Sequence, residues 1–109
     1  MNTSRKAAVY IRESFAGFLE ETDSGYRFTY DSVYLAEPEA AAVSLTLPLQ
    51  KEPYESGILF PFFDGLIPEG WLLQVISRNW KIDPNDRFGL LLASCKDCIG
   101  AVRIEEAGI

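Results

Sequence analysis

The sequence contains no histidine among its 109 residues. Histidine is the commonest general base and the commonest metal ligand, so its absence excludes Ser-His and Cys-His nucleophilic pairs and most familiar hydrolase mechanisms. The glycine-rich phosphate-binding patterns G-x-x-x-x-G-K and G-x-G-x-x-G are also missing. The 16 acidic residues are interpreted as solvated surface. We therefore predict no catalytic residue, no metal site and no cofactor.

Positive charge and long apolar runs are scarce as well. Ten Lys and Arg stand against 16 Asp and Glu, which gives a net charge of −6 without a basic cluster. A nucleic-acid backbone would be repelled on average, so we predict no direct nucleic-acid binding. No apolar run reaches the roughly 18 residues of a membrane span, and Arg12 and Glu13 interrupt the N-terminal apolar stretch before it could serve as a signal peptide. We expect a cytoplasmic protein without membrane contact.

Cysteine is limited to Cys95 and Cys98, which form a C-x-x-C pair. This spacing occurs in thioredoxin-like redox proteins, but there the pair follows a strand and opens a helix. In this sequence it follows the apolar run FGLLLAS and comes shortly before a glycine. Two reduced structural thiols are the favoured interpretation, and two ligands are too few for a metal site.

The first half of the chain shows the patterns of β-strands. Residues 6–21 are rich in β-branched and aromatic side chains around Gly17, which predicts one strand bent at a bulge or two short strands. The segment YRFTY at 26–30 alternates aromatic and polar residues, which predicts a strand with one buried face. Further short strands are predicted at 33–36 and 43–49, the second ending at a sheet edge.

The second half is predicted to be helical except at its end. LFPFFDGL indicates a helical turn, a helix is expected from Pro68 to about Asn79, and Asp86 is expected to cap a third helix, RFGLLLAS. The segment at 101–106 alternates again and predicts a returning strand. Strands, then helices, then a strand predict one α+β domain over residues 1–109, with an antiparallel, partly barrel-like sheet and two to three helices in the second half.

The predicted core combines the apolar faces of these elements. Truncating a core side chain should cost about 2 to 5 kcal/mol. The predicted core residues of the second half are Phe60, Phe62, Phe63, Leu66, Leu72, Leu73, Ile76, Trp80, Phe88, Leu90, Leu91, Val102 and Ile104.

Trp71 falls on the polar side of the predicted Pro68 helix. At about 100° per residue it lies nearly opposite Trp80, which shares the apolar arc. Trp71 either packs beneath the polar connection at 50–58 or is an anchor for a partner, since tryptophan is enriched among the residues that dominate interface energies. In the second interpretation the anchor has a polar rim formed by Asp64, Glu69, Gln74 and Arg78.

Several motifs together resemble the N-terminal subdomain of the HipA-like kinases. These are FPFFDGLIPEG, the downstream DRFGLLLA and the KDCIGAVRI segment, with LTLPL at 45–49 and Tyr54 also fitting the family pattern. The resemblance covers nearly the whole chain and implies the fold of that subdomain.

The resemblance also implies a role. In the HipA-like kinases the ATP-binding and catalytic parts follow this subdomain, whereas nothing follows Ile109 in this sequence. If the sequence is a full gene product, it resembles the HipS proteins of three-part HipBST toxin–antitoxin systems. Such a protein would be an antitoxin that neutralises a separate HipT-type serine/threonine kinase toxin by protein contact, while a HipB-like protein supplies the DNA-binding helix-turn-helix. The implied target of Trp71 is the nucleotide-binding region or active-site mouth of the kinase.

Two alternatives stay open from the sequence. The chain could be the structural N-terminal subdomain cut from a full-length HipA-like kinase, without an activity of its own. It could also be a C-x-x-C redox protein, for which replacing Cys95 and Cys98 by serine would abolish activity.

Overall fold

A computed structural model describes residues 5–67, 85–94 and 102–107. Within them the strands are β1 (Lys6–Ile11), β2 (Ser14–Thr22), β3 (Gly25–Tyr30), β4 (Tyr54–Ser56) and β5 (Val102–Glu106). The helices are α1 (Ser32–Leu35), α2 (Pro61–Asp64) and α3 (Arg87–Ser94). The strands form one antiparallel sheet in the order β4-β3-β2-β1-β5. The α+β class with an antiparallel sheet is confirmed; in the described part of the chain the sheet is not closed into a barrel and has β4 and β5 at its edges.

The segment predicted as a bent strand or two strands is a β1–β2 hairpin with a bulge. Val9 pairs with Gly17 whereas Tyr10 pairs with Phe15, so Ala16 is the extra residue on β2. Its carbonyl accepts a hydrogen bond from the Asp31 amide at 2.7 Å, outside the β1–β2 ladder. The bulge thereby ties β2 to the start of α1.

The inward face of β3 holds three different elements against the sheet. Phe28 and Tyr30 are buried, as the alternation predicted, and Tyr26 is half-buried on the same face. Their rings meet rings from α1, α2 and α3 at distances typical of favourable aromatic pairs. The centroid distances are 6.4 Å for Tyr30 with Tyr34, 5.5 Å for Phe28 with Phe63 and 6.1 Å for Tyr26 with Phe88.

The strand predicted at 33–36 is wrong, because this segment is the helix α1. Asp31 has extended backbone angles, and its side-chain carboxylate accepts hydrogen bonds from the amides of Val33 and Tyr34 at 3.1 and 3.2 Å. An aspartate in this position is a strong helix N-cap. The cap therefore overrides the β-propensity of Val33 and Tyr34.

The strand predicted at 43–49 is also wrong. The Leu47 amide donates to the Ser44 carbonyl at 3.0 Å, which closes a β-turn with an isolated bridge between the same two residues. The backbone is satisfied by tyrosine hydroxyls instead of a strand partner. The Tyr30 hydroxyl accepts from the Val43 amide at 3.0 Å and donates to the Leu47 carbonyl, and the Tyr54 hydroxyl donates to the Pro48 carbonyl at 2.6 Å.

The described parts of the second half agree with the predicted elements. The helical turn is α2, the third helix is α3, and the returning strand is β5, while β4 lies inside the predicted polar connection at 50–58. Phe60, Phe63, Phe88, Leu90, Leu91 and Ile104 are buried, and Phe62, Leu66 and Val102 pack against them half-buried. The predicted Pro68 helix lies outside the described residues, with its core residues Leu72, Leu73, Ile76 and Trp80. The helices α1, α2 and α3 of the described residues lack the length and hydropathy of a membrane span.

Gly17 allows β2 and β3 to lie close together. Adding a side chain at this position therefore tests the pairing of these two strands. A Cβ atom at this position would lie 2.2 Å from the Thr29 carbonyl oxygen and 2.9 Å from the Tyr30 Cα. We expect Gly17→Ala to lower the free energy of unfolding by about 1 to 3 kcal/mol, because the added Cβ forces the backbone of β3 to move. Urea denaturation followed by circular dichroism measures this loss.

Gly57→Ala is the matched control. The nearest atom to its added Cβ, the Ser24 carbonyl oxygen, lies 3.9 Å away, so we expect a change within about 0.5 kcal/mol. Equal stability of the two variants would contradict the pairing of Gly17 with Tyr30 in the β2–β3 ladder.

Candidate partner-binding site

Asp64 is the one predicted site residue that lies in the described part of the chain. It ends α2, and its Oδ1 accepts a hydrogen bond from Nε of Arg87 at 2.7 Å. The pair joins α2 to the first residue of α3 and remains partly exposed on both sides. Asp64 is therefore a surface carboxylate with an internal partner. The other predicted residues, Glu69, Trp71, Gln74 and Arg78, lie outside the described residues.

Beside this pair, Arg5 holds two carboxylates from distant parts of the sequence. Its Nε and Nη2 donate to the two oxygens of Glu21 at 2.8 and 2.7 Å, and its Nη1 and Nη2 donate to the two oxygens of Asp86 at 2.8 and 2.7 Å. Such bidentate pairs fix geometry as well as adding energy. The Arg5 guanidinium also lies 5.2 Å from the centre of the Phe88 ring. Arg5 thus fastens the start of α3 to the end of β2.

The predicted capping role of Asp86 is confirmed. Its Oδ1 accepts a hydrogen bond from the Gly89 amide at 3.2 Å, which is the usual contact of an N-cap. A Cβ atom on Gly89 would lie 2.4 Å from Oδ2 of Asp86 and 3.1 Å from Nη1 of Arg5. The glycine therefore leaves room for the arginine to reach the cap.

Arg5 also controls the protonation of both acids. Its hydrogen bonds lower the pKa of Glu21 and the pKa of Asp86, against a smaller opposing effect of burial. The two carboxylates in turn raise the pKa of Arg5. Acids held in the ionised form do not act as general acids at neutral pH. This cluster therefore positions α3, and its carboxylates stay ionised as the partners of Arg5.

Outside the Arg5 cluster, the features of the described residues that bear on function are possible metal ligands, further ion pairs and grooves. No group of three or more Cys, Asp or Glu residues in this part of the chain could hold a metal ion. The Glu105 carboxylate forms a salt bridge with Arg103, with 2.7 Å between its Oε2 and Nε of the arginine. A groove of about 360 Å³ between the β1–β2 turn and the segment after α1 is bordered by Arg12, Glu37 and Glu39, whose mixed charges select no ligand class.

Sequence reasoning missed the apolar surface at residues 40–50. Leu45 at the β-turn is 99% exposed, and Leu49 is also exposed. The alternation of this segment predicts a strand with Val43, Leu45 and Leu47 on one face, whereas in the structure Val43 and Leu47 are buried and Leu45 is exposed. The available signal was the lack of any charged residue between Glu39 and Lys51.

The Arg5 cluster predicts how stability depends on pH. Because the folded-state pKa values of Glu21 and Asp86 are lowered, their ion pairs contribute fully above the ordinary carboxyl range of about 4, and the contribution is lost as the pH falls through the lower folded-state values. We expect Arg5→Gln to cost about 1 to 2 kcal/mol at pH 7, since the cluster is partly exposed. The difference from wild type should shrink between pH 5 and about 2 in urea denaturation.

Arg27→Gln serves as the control, because its contact with Glu55 is longer, at 3.7 Å, and more exposed. We expect Arg27→Gln to lower the free energy of unfolding less than Arg5→Gln does, and this loss should change less with pH. The ion pairs would be contradicted if the difference in free energy of unfolding between wild type and Arg5→Gln stayed constant down to pH 2.

Comparison with known proteins agrees with this architecture. The family model of the HipA N-terminal domain matches residues 7–105. A solved structure titled "N-terminal domain of HipA toxin" superposes with a TM-score of 0.74 at 29% sequence identity, covering 99% of this chain and 97% of that one.

Two curated relatives differ in how much of them the match occupies. An uncharacterised protein of Haemophilus influenzae is 36% identical over 102 residues, which are 94% of this chain and 92% of that protein. "Putative kinase Y4mE" of Sinorhizobium fredii is 28% identical over 87 residues, which are 80% of this chain and 21% of that protein. Because the family model spans nearly the whole sequence, this chain belongs to the HipA N-terminal domain family.

Proposed function

We propose that this chain is an antitoxin that binds a separate HipA-like serine/threonine kinase toxin and neutralises it by protein contact, without catalysis of its own. The observation that carries the proposal is the match of residues 7–105 to the HipA N-terminal domain, a domain that also occurs as a small part of a kinase relative. We take a domain that shares one chain with a kinase to have a surface that also suits a kinase supplied as another chain.

The two curated relatives support both halves of this argument. In the Haemophilus influenzae protein the match occupies 92% of the length, so a protein consisting of little more than this domain exists in that organism. In Y4mE it occupies 21%, so most of that kinase relative lies outside the match. The first shows the domain with little else attached, and the second shows it joined to a larger chain.

The proposed contact is Trp71 with its rim of Asp64, Glu69, Gln74 and Arg78. A tryptophan on the polar side of a helix supplies a large apolar anchor for a partner's pocket. Asp64 agrees with a rim position, because its side chain keeps about 42% exposure beside Arg87. We place the contact at the nucleotide-binding region or active-site mouth of the kinase, where a bulky ring would block closure.

We further propose that a HipB-like DNA-binding protein joins the same complex. This chain carries a net charge of −6, which disfavours direct contact with a phosphate backbone. DNA binding would then come from the HipB-like partner.

A second candidate is a structural or regulatory subdomain of a full-length HipA-like kinase. The Y4mE match favours it, because there the domain is attached to a larger chain. Mixing the purified chain with a separate kinase distinguishes the two: an antitoxin lowers autophosphorylation in trans, whereas a subdomain that works only when covalently attached leaves it unchanged.

The anchor is tested by calorimetry with the HipA-like kinase of the source organism. We expect Trp71→Ala to keep its circular dichroism spectrum and to bind at least about tenfold more weakly than wild type, a loss of about 1.4 kcal/mol. Trp80→Ala is the comparison, since Trp80 is predicted to be core and its truncation should lower stability by about 3 to 5 kcal/mol.

The outcomes separate the anchor from the function. Equal binding by wild type and Trp71→Ala would reject Trp71 as the anchor and keep the antitoxin. A wild-type chain that neither binds the kinase nor lowers its autophosphorylation would reject the antitoxin itself.

A further inference from the structure

Residues 40–50 form a surface segment without a single charge, which we call the uncharged band. Its sequence is AAAVSLTLPLQ, in a chain of which 24% is charged. The exposed members are mostly apolar: Ala41, Ala42, Leu45, Thr46, Pro48 and Leu49. One exposed leucine is ordinary on a protein surface, but a continuous uncharged and largely apolar segment has the composition of an interface centre, where charged residues are depleted.

The fold does not require the leucine at the tip of this band. Leu45 occupies the first corner of the turn closed by Ser44 and Leu47, a position where polar residues, proline and glycine are usual. The turn is supported without it, because the Ser44 hydroxyl accepts a hydrogen bond from the Thr46 amide at 3.2 Å. With 99% of its surface exposed, Leu45 contributes almost no burial to the isolated domain.

The backbone of the band is nonetheless fixed. Ala41 both donates to and accepts from the Tyr34 hydroxyl, at 2.9 and 2.7 Å. Further along, the hydroxyls of Tyr30 and Tyr54 bind the backbone at Val43, Leu47 and Pro48. A segment already held in one conformation loses little entropy on binding. The band thus presents Leu45 on a preformed turn.

We infer that the uncharged band is a second surface by which this domain contacts the kinase chain, with Leu45 inserted into an apolar recess of that chain. The inference rests on the proposed function and extends it to a part of the domain far along the sequence from Trp71. The occupant is the kinase chain of the proposed function: in Y4mE about four-fifths of the protein lies outside the match, so the domain there shares its chain with a much larger part that its uncharged surface could face. A rigid apolar turn is suited to a folded protein rather than to a charged ligand.

The test compares charge insertion at two exposed apolar residues, one inside the band and one outside it. Leu45→Asp and Leu45→Ala are titrated into the purified HipA-like kinase by calorimetry beside wild type and Ile58→Asp. Ile58 is 70% exposed and lies outside the band. Urea denaturation establishes that all three variants keep the wild-type fold. We expect Leu45→Asp to weaken binding at least about tenfold, Leu45→Ala to weaken it less, and Ile58→Asp to stay within about twofold of wild type.

Each other result overturns the inference in a recognisable way. Wild-type affinity of both Leu45 variants would exclude the band as a contact and leave the proposed function intact. Equal losses for Leu45→Asp and Ile58→Asp would show a general effect of charge instead of a local contact. If sedimentation shows wild type to be a dimer that Leu45→Asp dissociates, while kinase binding is unchanged, the band pairs two copies of this chain. Absence of kinase binding by wild type would reject both the inference and the proposed function.

Discussion

The inward face of β3 is the constraint on which the rest of the domain depends. Three aromatic residues, two apart along one strand, must all find cover on the same side of the sheet. Phe28 is covered by α2 through Phe63, and Tyr26 by α3 through Phe88. Tyr30 is covered differently, because its buried hydroxyl needs partners and finds them in the backbone of the uncharged band. Tyr30 also stacks on Tyr34 of α1, so one strand orients three helices and one surface segment.

The ion pairs of Arg5 and Arg87 add a second set of constraints, which fix α3 at one end of the sheet. The β3 face places Phe88 under the sheet, and Arg5 then fixes the direction of α3 by holding its capping residue Asp86. The Arg87–Asp64 pair ties α3 to α2 at the same end. Glu21, Asp86 and Asp64 are each paired with an arginine, so at this end of the sheet their charges hold α3 in place. The charge cluster is structural, and the proposed function does not require it to react.

The two proposed contact regions differ in physical character. The Trp71 region is inferred from helical periodicity and combines one large ring with charged neighbours. The uncharged band is defined by its exposure, its lack of charge and its tyrosine hydrogen bonds. A partner that contacted both would engage segments from each half of the sequence, which requires the domain to be folded before it binds. Loss of a core residue such as Phe63 would then abolish binding indirectly.

Local patterns in the sequence were sufficient for much of the fold. The alternation at 26–30 identified β3 and its buried face, Gly17 marked the bulged hairpin, and Asp86 marked the start of α3. These signals depend on neighbours within a few residues, where backbone and side-chain geometry is nearly fixed. The family motifs added the domain assignment, which the match to residues 7–105 confirms.

Tertiary structure decided what the local patterns left ambiguous. The segment 43–49 alternates like a strand, yet no neighbouring strand reaches it among the described residues, and the hydroxyls of Tyr30 and Tyr54 satisfy its backbone instead. Arg5 and Asp86 are 81 positions apart, so no periodicity could pair them. The sequence by itself determined β3, the bulged hairpin of β1 and β2, the start of α3, the absence of histidine and the acidic charge. Only the folded chain decided which carboxylates are neutralised and that Leu45 faces solvent, because both depend on groups that meet through the sheet.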